Sequence, residues 1–145
     1  MDTASWYRYF AEVEAPGSSP IYAELAAGVA ADAHVVALLG ELPARKRQPN
    51  LLFASVRWMK GPTDSWPDFR SFVIDRWHDI ASTMRKRWTQ TNEAARCSAL
   101  VPALHSIEGP IALIEVGASA GLCLLPDRYA YSYNGDSIGF SELQI

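Results

Sequence analysis

The sequence is poor in the residues that build metal sites and disulfide frameworks. Its two cysteines, Cys97 and Cys123, lie far apart and have no CxxC spacing. Neither a zinc site nor a disulfide is indicated, and a reducing cytoplasm is favoured. The three histidines are scattered one to a helix with no His-x-x-x-His spacing; they are His34, His78 and His105. We therefore expect no bound metal.

Long apolar runs and an excess of basic charge are also missing. No stretch is apolar for the length that a membrane span requires, and residues 1–6 do not open like a signal peptide. Thirteen Lys and Arg against sixteen Asp and Glu give a formal net charge of −3, which provides no basic field to attract nucleic acid. We expect a soluble, cytoplasmic protein that binds neither membrane nor nucleic acid.

What the chain does contain is ordinary globular composition, with 49% hydrophobic residues arranged mostly at helical spacing. Cap residues precede successive apolar stripes at Asp2, Ser19 and Asp32, and Pro20 and Pro49 stand at the openings of apolar segments. These patterns predict three helices followed by a further apolar segment.

A longer periodic stretch comes next. Apolar residues keep helical spacing from Phe69 to Met84, which predicts the longest helix of the chain. The five tryptophans, including Trp58, Trp77 and Trp88, are expected to be core and helix-packing residues, because their rings bury large areas.

Two polar segments interrupt this pattern. The basic run at residues 45–47 is expected to be a solvated turn. Residues 89–92 are polar, and threonine and asparagine favour caps over helix interiors, so a new helix is expected to begin there. The inner stripe of that helix is predicted to be Cys97, Leu100, Val101 and Leu104.

The periodicity changes after Gly109 and Pro110. Residues 111–116 form a continuous apolar run bounded by glycines, which predicts a strand buried on both faces of a parallel sheet. Tyrosines then alternate with small residues at 129–133, and Asn134 with Gly135 is a strong hairpin signal. The predicted fold class is mostly α with a small β portion in the last third.

The predicted strand leads into a turn of glycines and other small residues. Glycine permits a tight bend, small side chains leave room for a ligand, and amides at the start of a following helix would face it. A strand, a glycine turn and a helix in this order form a setting in which nucleotide-type ligands bind. The candidate cofactor-binding residues of the turn are Glu115, Gly117, Ala118, Ser119 and Gly121.

Three interpretations of this turn stay open. It joins strand to helix without a further role, or it forms a cofactor pocket in which Glu115 accepts hydrogen bonds from ligand hydroxyls. As Gly-x-Ser-x-Gly it also matches the nucleophile elbow of an α/β-hydrolase, with Ser119 as nucleophile. The elbow is disfavoured because it needs a later histidine, and no histidine follows His105.

A polar cluster precedes the turn by one helix. Its residues are Gln90, Thr91, Asn92, Glu93 and Arg96. The cluster is either a helix cap with a surface ion pair, or Asn92, Glu93 and Arg96 line the cofactor pocket beside Glu115. Asp136 lies about twenty residues after that carboxylate, where a ribose-binding acid is sometimes found. The Asn-Gly-Asp setting of Asp136 favours a hairpin turn instead.

Four blocks in this order resemble the bacterial family of unknown function DUF2332. They are residues 19–25, 48–52, 91–97 and 115–122, the last followed by Asp127, Arg128 and Tyr129. The turn is also similar to that of class I S-adenosylmethionine-dependent methyltransferases, in which an acidic residue is followed by glycines at alternate positions. Ser119 stands where the middle glycine would be.

The resemblance implies a helical region at residues 1–108, followed at 109–145 by the first strand-turn-helix unit and a hairpin of a Rossmann-like, methyltransferase-type domain. It implies S-adenosylmethionine as cofactor, an unknown small-molecule substrate and no established activity. The chain departs from the family at Cys123, where Asn is usual, and in a shortened segment around residues 61–66.

Family members continue past Ile145, so we expect the later strands to be missing and cofactor binding to be weak in this chain alone. Methyltransferase activity would then require the missing sequence. The alternative is a non-catalytic helical interaction module, a homo-oligomer that self-associates through its unfinished sheet.

Overall fold

A computed structural model describes residues 2–90 and 93–138. Close contacts divide the chain into two units, Met1–Thr89 and Gln90–Ile145, called here the helical unit and the turn unit. Most described residues are helical, and the only strands among them form one short antiparallel pair. The predicted class, mostly α with a small β portion, is confirmed.

The elements follow in chain order. The α-helices are α1 (Thr3–Tyr9), α2 (Pro20–Ala31), α3 (Ala33–Gly40), α4 (Pro49–Trp58), α5 (Trp66–Asp75), α6 (Trp77–Lys86) and α7 (Cys97–His105). A π-helical turn, Phe10–Glu14, extends α1, and 3₁₀ turns occupy Ala44–Lys46, Ala94–Arg96, Leu122–Leu124 and Pro126–Arg128. The strands are β1 (Tyr131–Tyr133) and β2 (Asp136–Ile138). The boundary between these two units falls before α7. The sequence-based division into 1–108 and 109–145 stays a prediction.

Side-chain caps fix where the first helices begin, as the sequence predicts. The carboxylate of Asp2 accepts the backbone N–H of Ser5 at 2.9 Å, and the hydroxyl of Ser19 accepts that of Tyr22 at 3.4 Å. Pro20 occupies the first turn of α2, where its missing N–H costs nothing. These contacts are local, so the sequence alone determines them.

Asp32 connects three helices of the helical unit. Its extended backbone ends α2, and its carboxylate accepts the N–H groups of His34 and Val35, each at 2.9 Å, at the start of α3. Arg70 on α5 donates its Nε–H to the same carboxylate at 2.5 Å. This guanidinium bond and the two amide bonds lower the pKa of Asp32 below its usual 3.8.

No single described helix is long and apolar enough to cross a membrane; α2 with α3, bent by 85°, passes that test by length and composition only. The apolar residues of this pair are buried in the core of the helical unit. They include Leu25, Val29, Val35 and Leu39, all fully buried.

Phe53 on α4 is the meeting point of the aromatic core. Its ring stacks on Tyr22 of α2 with centroids 5.0 Å apart. The rings of Tyr7, Phe10 and Phe69 contact it at centroid distances of 6.4, 5.9 and 5.7 Å. Because these four partners come from the N-terminal helix, its π-helical extension, α2 and α5, one side chain joins four elements to α4.

Gly28 allows α2 to approach the indole of Trp66. A Cβ at this position would lie 2.2 Å from Cδ2 of that ring, well inside van der Waals contact. The backbone N–H of Trp66 also donates to the carboxylate of Glu24 at 3.3 Å. The start of α5 is therefore held against α2 by both packing and a hydrogen bond.

The longest predicted helix is interrupted, and the single-helix prediction is wrong. Arg76 adopts φ −112° and ψ 18°, which separates α5 from α6. Its guanidinium donates to the carboxylate of Asp79 at 3.1 and 2.8 Å in the first turn of α6. On the α6 side, Trp77 is buried and donates its Nε1–H to Glu41 at 2.8 Å. Helical periodicity continues across the break, so spacing alone does not reveal it.

The basic run at residues 45–47 is not simply a solvated turn, which corrects that expectation. Lys46 is only 4% exposed and donates from Nζ to the backbone oxygen of Arg87, just past the end of α6, at 2.6 Å. Burial lowers its pKa. Arg47 donates to the backbone oxygens of Leu42 and Gly40 at 2.8 and 2.9 Å. Both side chains satisfy carbonyls near helix ends, where cations are favoured.

Two of the tryptophans expected in the core lie at the surface. Trp77 is buried as predicted, but Trp58 and Trp88 are 65% and 52% exposed. Each of these two rings carries a cation instead: the guanidinium of Arg87 lies 4.1 Å from the Trp58 centroid, and the ammonium of Lys46 lies 3.4 Å from that of Trp88. A cation over an indole face stabilises an exposed ring that lacks a core position.

In the turn unit, the predicted hairpin is present and the predicted strand at residues 111–116 is absent. Tyr131 pairs with Ile138 in the β1–β2 register, and Asn134 and Gly135 take φ values of 53° and 96°. Residues 111–116 have no regular structure, and Ile114 and Val116 are 91% and 97% exposed. A strand buried on two faces needs neighbouring strands, and the described residues supply none beside it.

The helix predicted after residue 92 is also less buried than expected. Cys97 is fully buried, but Leu100, assigned to the same inner stripe, is 44% exposed. Similarly, the apolar residues after Gly121 form a 3₁₀ turn, Leu122–Leu124, rather than the start of an α-helix. The turn unit therefore buries few apolar side chains.

We predict that Asp32→Asn lowers the free energy of unfolding of the helical unit by about 1 kcal/mol at neutral pH. The amide still caps α3, so the loss reports the charge interaction with Arg70, whose exposure limits its size. A lowered folded pKa gives stability that is present above the unfolded value and lost as pH falls through the lowered one. The gap between wild type and variant should close below pH 3.8. Urea unfolding followed by tryptophan fluorescence measures it; a pH-independent gap contradicts the assignment.

Candidate functional site

The glycine turn places three alternate residues in the left-handed region of backbone space. Gly117, Ser119 and Gly121 have φ values of 78°, 54° and 71°. Serine rarely adopts this conformation, so Ser119 occupies a backbone position suited to glycine. Gly121 donates its N–H to the backbone oxygen of Ala118 at 2.7 Å, which closes the bend. The alternate spacing seen in the sequence therefore corresponds to alternate residues with left-handed backbone conformation.

Open space lies over this turn. A Cβ built on Gly117 would meet no heavy atom within 4 Å, and one on Gly121 would meet only a methyl of Leu124, at 3.8 Å. Within the described residues, no neighbouring side chain fills the gap above Gly117. A ligand can therefore approach the backbone there.

Glu115 stands at the start of the turn and is partly buried. Its Oε2 atom is buried and has no hydrogen-bond partner among the described residues. A buried oxygen of this kind costs free energy unless a donor reaches it. Among the candidate site residues that the structure describes, Glu115 is the one whose buried side-chain oxygen lacks a donor.

The segment that precedes α7 contacts the turn. Ser119 donates its hydroxyl hydrogen to Oε1 of Gln90 at 3.3 Å, and the thiol of Cys123 donates to the backbone oxygen of Glu93 at 3.6 Å. These two contacts place the glycine turn next to part of the polar cluster. Gln90 belongs to it although it was not among the predicted site residues.

The side chains of the polar cluster take other roles. The Glu93 carboxylate accepts the N–H of Ala95 at 3.2 Å and so caps the 3₁₀ turn before α7. Arg96 is exposed. Asn92 lies outside the described residues. The cap interpretation therefore describes Glu93, while pocket-lining roles for the three residues stay predictions.

A thiol and tyrosine cluster lies beside the turn and was missed from the sequence. Cys97, Tyr129 and Tyr131 are buried together, and Cys123 and Tyr133 pack against them. Burial and the neighbouring Cys123 raise the pKa of Cys97. Burial, followed by the nearby Cys97, raises the pKa of Tyr131 to about 12. The alternating tyrosines were a usable signal, but nothing in the spacing of the cysteines indicates that they meet.

Three phenol hydroxyls tie the hairpin region to the rest of the turn unit. Each donates to a backbone oxygen: Tyr129 to Leu122 at 3.0 Å, Tyr131 to Pro126 at 2.6 Å and Tyr133 to Ser98 at 2.6 Å. These bonds satisfy the polar ends of rings whose bodies are buried or half-buried. The first two bonds hold the 3₁₀ turns after Gly121 in place, and the third attaches β1 to α7.

The hydrolase alternative finds little support in this arrangement. The Ser119 hydroxyl bonds to Gln90 rather than to a histidine. Among the described residues, no group of three metal-ligating side chains is assembled. Asp136 begins β2 opposite Tyr133, as its hairpin setting predicts.

These features define a mostly α-helical protein whose short C-terminal β-hairpin supports a glycine-type turn. The model of DUF2332, described as uncharacterized protein conserved in bacteria, matches residues 4–145, and the chain belongs to this family. The resemblance seen in the four sequence blocks is thereby confirmed. No curated protein and no solved structure matches the chain significantly.

We predict that Glu115→Gln leaves the turn unit equally stable or stabilises it by up to about 1 kcal/mol, because the change removes a charge whose buried oxygen lacks a donor. Hydrogen exchange in peptides from residues 93–138 measures the effect, since all five tryptophans lie in the helical unit. Glu108→Gln, at an exposed position, is the matched control and should change nothing. Faster exchange in the Glu115 variant alone would indicate a structural role for its charge.

Proposed function

We propose that the turn from Glu115 to Gly121 binds a nucleotide-type cofactor, S-adenosylmethionine, as a methyltransferase-like protein would. The observation that carries this proposal is the buried Oε2 of Glu115, which has no hydrogen-bond partner in the part of the chain that the structure describes and lies beside three alternate left-handed residues. A carboxylate that lacks a donor is satisfied by ligand hydroxyls, and a bend of small residues gives a ligand access to the backbone.

In this proposal different residues of the turn bind different parts of the cofactor. Glu115 accepts hydrogen bonds from the ribose hydroxyls, and the backbone from Gly117 to Gly121, with open space at Gly117, holds the amino-acid end. When bound, the cofactor supplies an electrophilic methyl group on a sulfonium. The proposed methyl acceptor is a small-molecule substrate.

The fit is partial, and this affects the expected affinity. The Glu93 carboxylate caps the 3₁₀ turn before α7, and Arg96 is exposed. Neither feature orients a side chain towards the open space over the glycine turn. Cofactors of this class bind in crevices between strands, and residues 111–116 form no strand here. We therefore propose weak binding that further protein surface would strengthen.

A second candidate function is self-association without catalysis. Among the described residues of the turn unit, eight large apolar side chains are exposed, and Ile114 and Val116 are almost completely so. An open groove of 430 Å³ in the same unit is lined largely by apolar residues; it includes Leu104, Ile111, Leu113 and Leu124. The apolar side chains of one copy inserted into the groove of another would be removed from water.

The proposed setting for either function is the cytoplasm, without nucleic acid as a partner. Two free thiols, Cys97 and Cys123, are compatible with a reducing compartment. The net charge of −3 provides no electrostatic attraction for a phosphate backbone.

The cofactor proposal predicts that S-adenosylhomocysteine binds the wild-type chain in titration calorimetry and that Glu115→Gln weakens this binding about tenfold or more. A hydrogen bond to a charged acceptor is worth about 1.5–3 kcal/mol, and the amide keeps the side chain's shape. Asp136→Asn changes the other acid once considered for the ribose and should bind normally. No heat with the wild type, or loss of affinity only in the Asp136 variant, would show the proposal to be wrong.

The self-association proposal predicts that the wild-type chain forms dimers or larger species and that Ile114→Lys shifts it towards monomer. A charge on a side chain that is 91% exposed costs the monomer little but is costly when buried at an interface. Light scattering with size-exclusion over a concentration series measures the shift. Val13→Lys, at a 57% exposed position of the helical unit, is the control. A wild type that stays monomeric throughout excludes this function.

A further inference from the structure

The two cysteines of the chain meet in the turn unit. Cys97 is the first residue of α7 and is fully buried, while Cys123 lies in the 3₁₀ turn Leu122–Leu124 and is partly exposed. Cys123 packs against the buried cluster that contains Cys97, and both thiols are free. The thiol of Cys97 also interacts directly with that of Cys123. The two side chains are therefore neighbours in the reduced protein, and Cys123 is reachable from solvent.

The backbone on each side of the pair is held by hydrogen bonds. The Cys123 thiol donates to the backbone oxygen of Glu93 at 3.6 Å, and Glu93 caps the single turn that leads into Cys97. On the other side, the hydroxyl of Tyr129 donates to the backbone oxygen of Leu122 at 3.0 Å. A disulfide needs two Cβ atoms at close and fairly fixed separation, which anchored backbone of this kind favours.

We propose that Cys97 and Cys123 are a redox-active pair that closes to an intramolecular disulfide when the protein meets a low-molecular-weight disulfide. The Cys123 thiolate attacks one sulfur of the disulfide R–S–S–R, forming a mixed disulfide and releasing R–S⁻. The Cys97 thiolate then attacks the Cys123 sulfur, forming the internal bond and releasing the second R–S⁻. In total, two protein thiols are oxidised, one R–S–S–R is reduced to two R–SH, and the protons balance.

The order of these steps follows from access and from the surroundings of Cys97. Only Cys123 is partly exposed, so the external disulfide reaches it first. The titratable groups around Cys97 are Cys123, Tyr129, Tyr131 and Glu115. Burial raises the Cys97 pKa, so its thiolate is scarce at neutral pH and the second step should accelerate as pH rises. This pair does not depend on whether the glycine turn binds a ligand.

The test uses the whole chain, purified under reducing conditions, desalted and equilibrated with glutathione and glutathione disulfide. Intact mass after alkylation of remaining thiols should show loss of both thiols, a mass lower by two hydrogen atoms and full reversal by dithiothreitol. Because the fold holds the two sulfurs close together, the equilibrium constant for forming the internal disulfide by exchange with glutathione disulfide should be at least about tenfold larger in buffer than in urea.

Two variants separate the steps. Cys123→Ser should leave Cys97 unreactive towards glutathione disulfide in buffer, and Cys97→Ser should stop at the mixed disulfide on Cys123. The mass measurement on the wild-type chain tests the proposal even if one of these variants does not fold. A stable mixed disulfide on wild-type Cys123 with Cys97 still free, disulfide-linked dimers, or equal equilibrium constants in buffer and urea would each overturn it.

Discussion

Burial of apolar side chains around Phe53 is the interaction on which the helical unit depends. Four aromatic rings from other elements contact this one ring, so the helices pack through shared, directional contacts as well as through area removed from water. The part of the turn unit that the structure describes has no comparable centre. Its fully formed core consists of Cys97, Tyr129 and Tyr131, and many of its apolar side chains stay in contact with solvent.

This difference explains why two neighbouring predictions had opposite outcomes. The strand expected at residues 111–116 requires partners along its edges and cover on its faces, neither of which the described residues provide. The turn that follows needs only backbone freedom. Gly117 and Gly121 supply that freedom by composition, and Ser119 adopts the same left-handed conformation between them. The bend therefore forms although the strand does not.

What the sequence reveals of the fold is mostly local. The caps at Asp2, Ser19 and Asp32 and the turn at Asn134 depend on groups a few residues apart, and all four are confirmed. The position of Trp58 at the surface could not be predicted in the same way, because its ring contacts Arg87, which is distant in the sequence.

The candidate site shows the same limit. The position of Glu115 was evident from its place before the glycines, but whether a described residue donates to its buried oxygen depends on the packing around it. The meeting of Cys97 with Cys123 is a tertiary contact that no spacing rule encodes. Local chemistry thus predicts which residues matter, while long-range packing decides what each of them faces.

The three phenol hydroxyls have a consequence for how this family can diverge. Their acceptors are main-chain oxygens of Leu122, Pro126 and Ser98, which every amino acid carries. Drift at those acceptor positions leaves the attachments intact, whereas exchange of a tyrosine for phenylalanine removes one outright. Purifying selection should therefore fall on the donors and spare the acceptors.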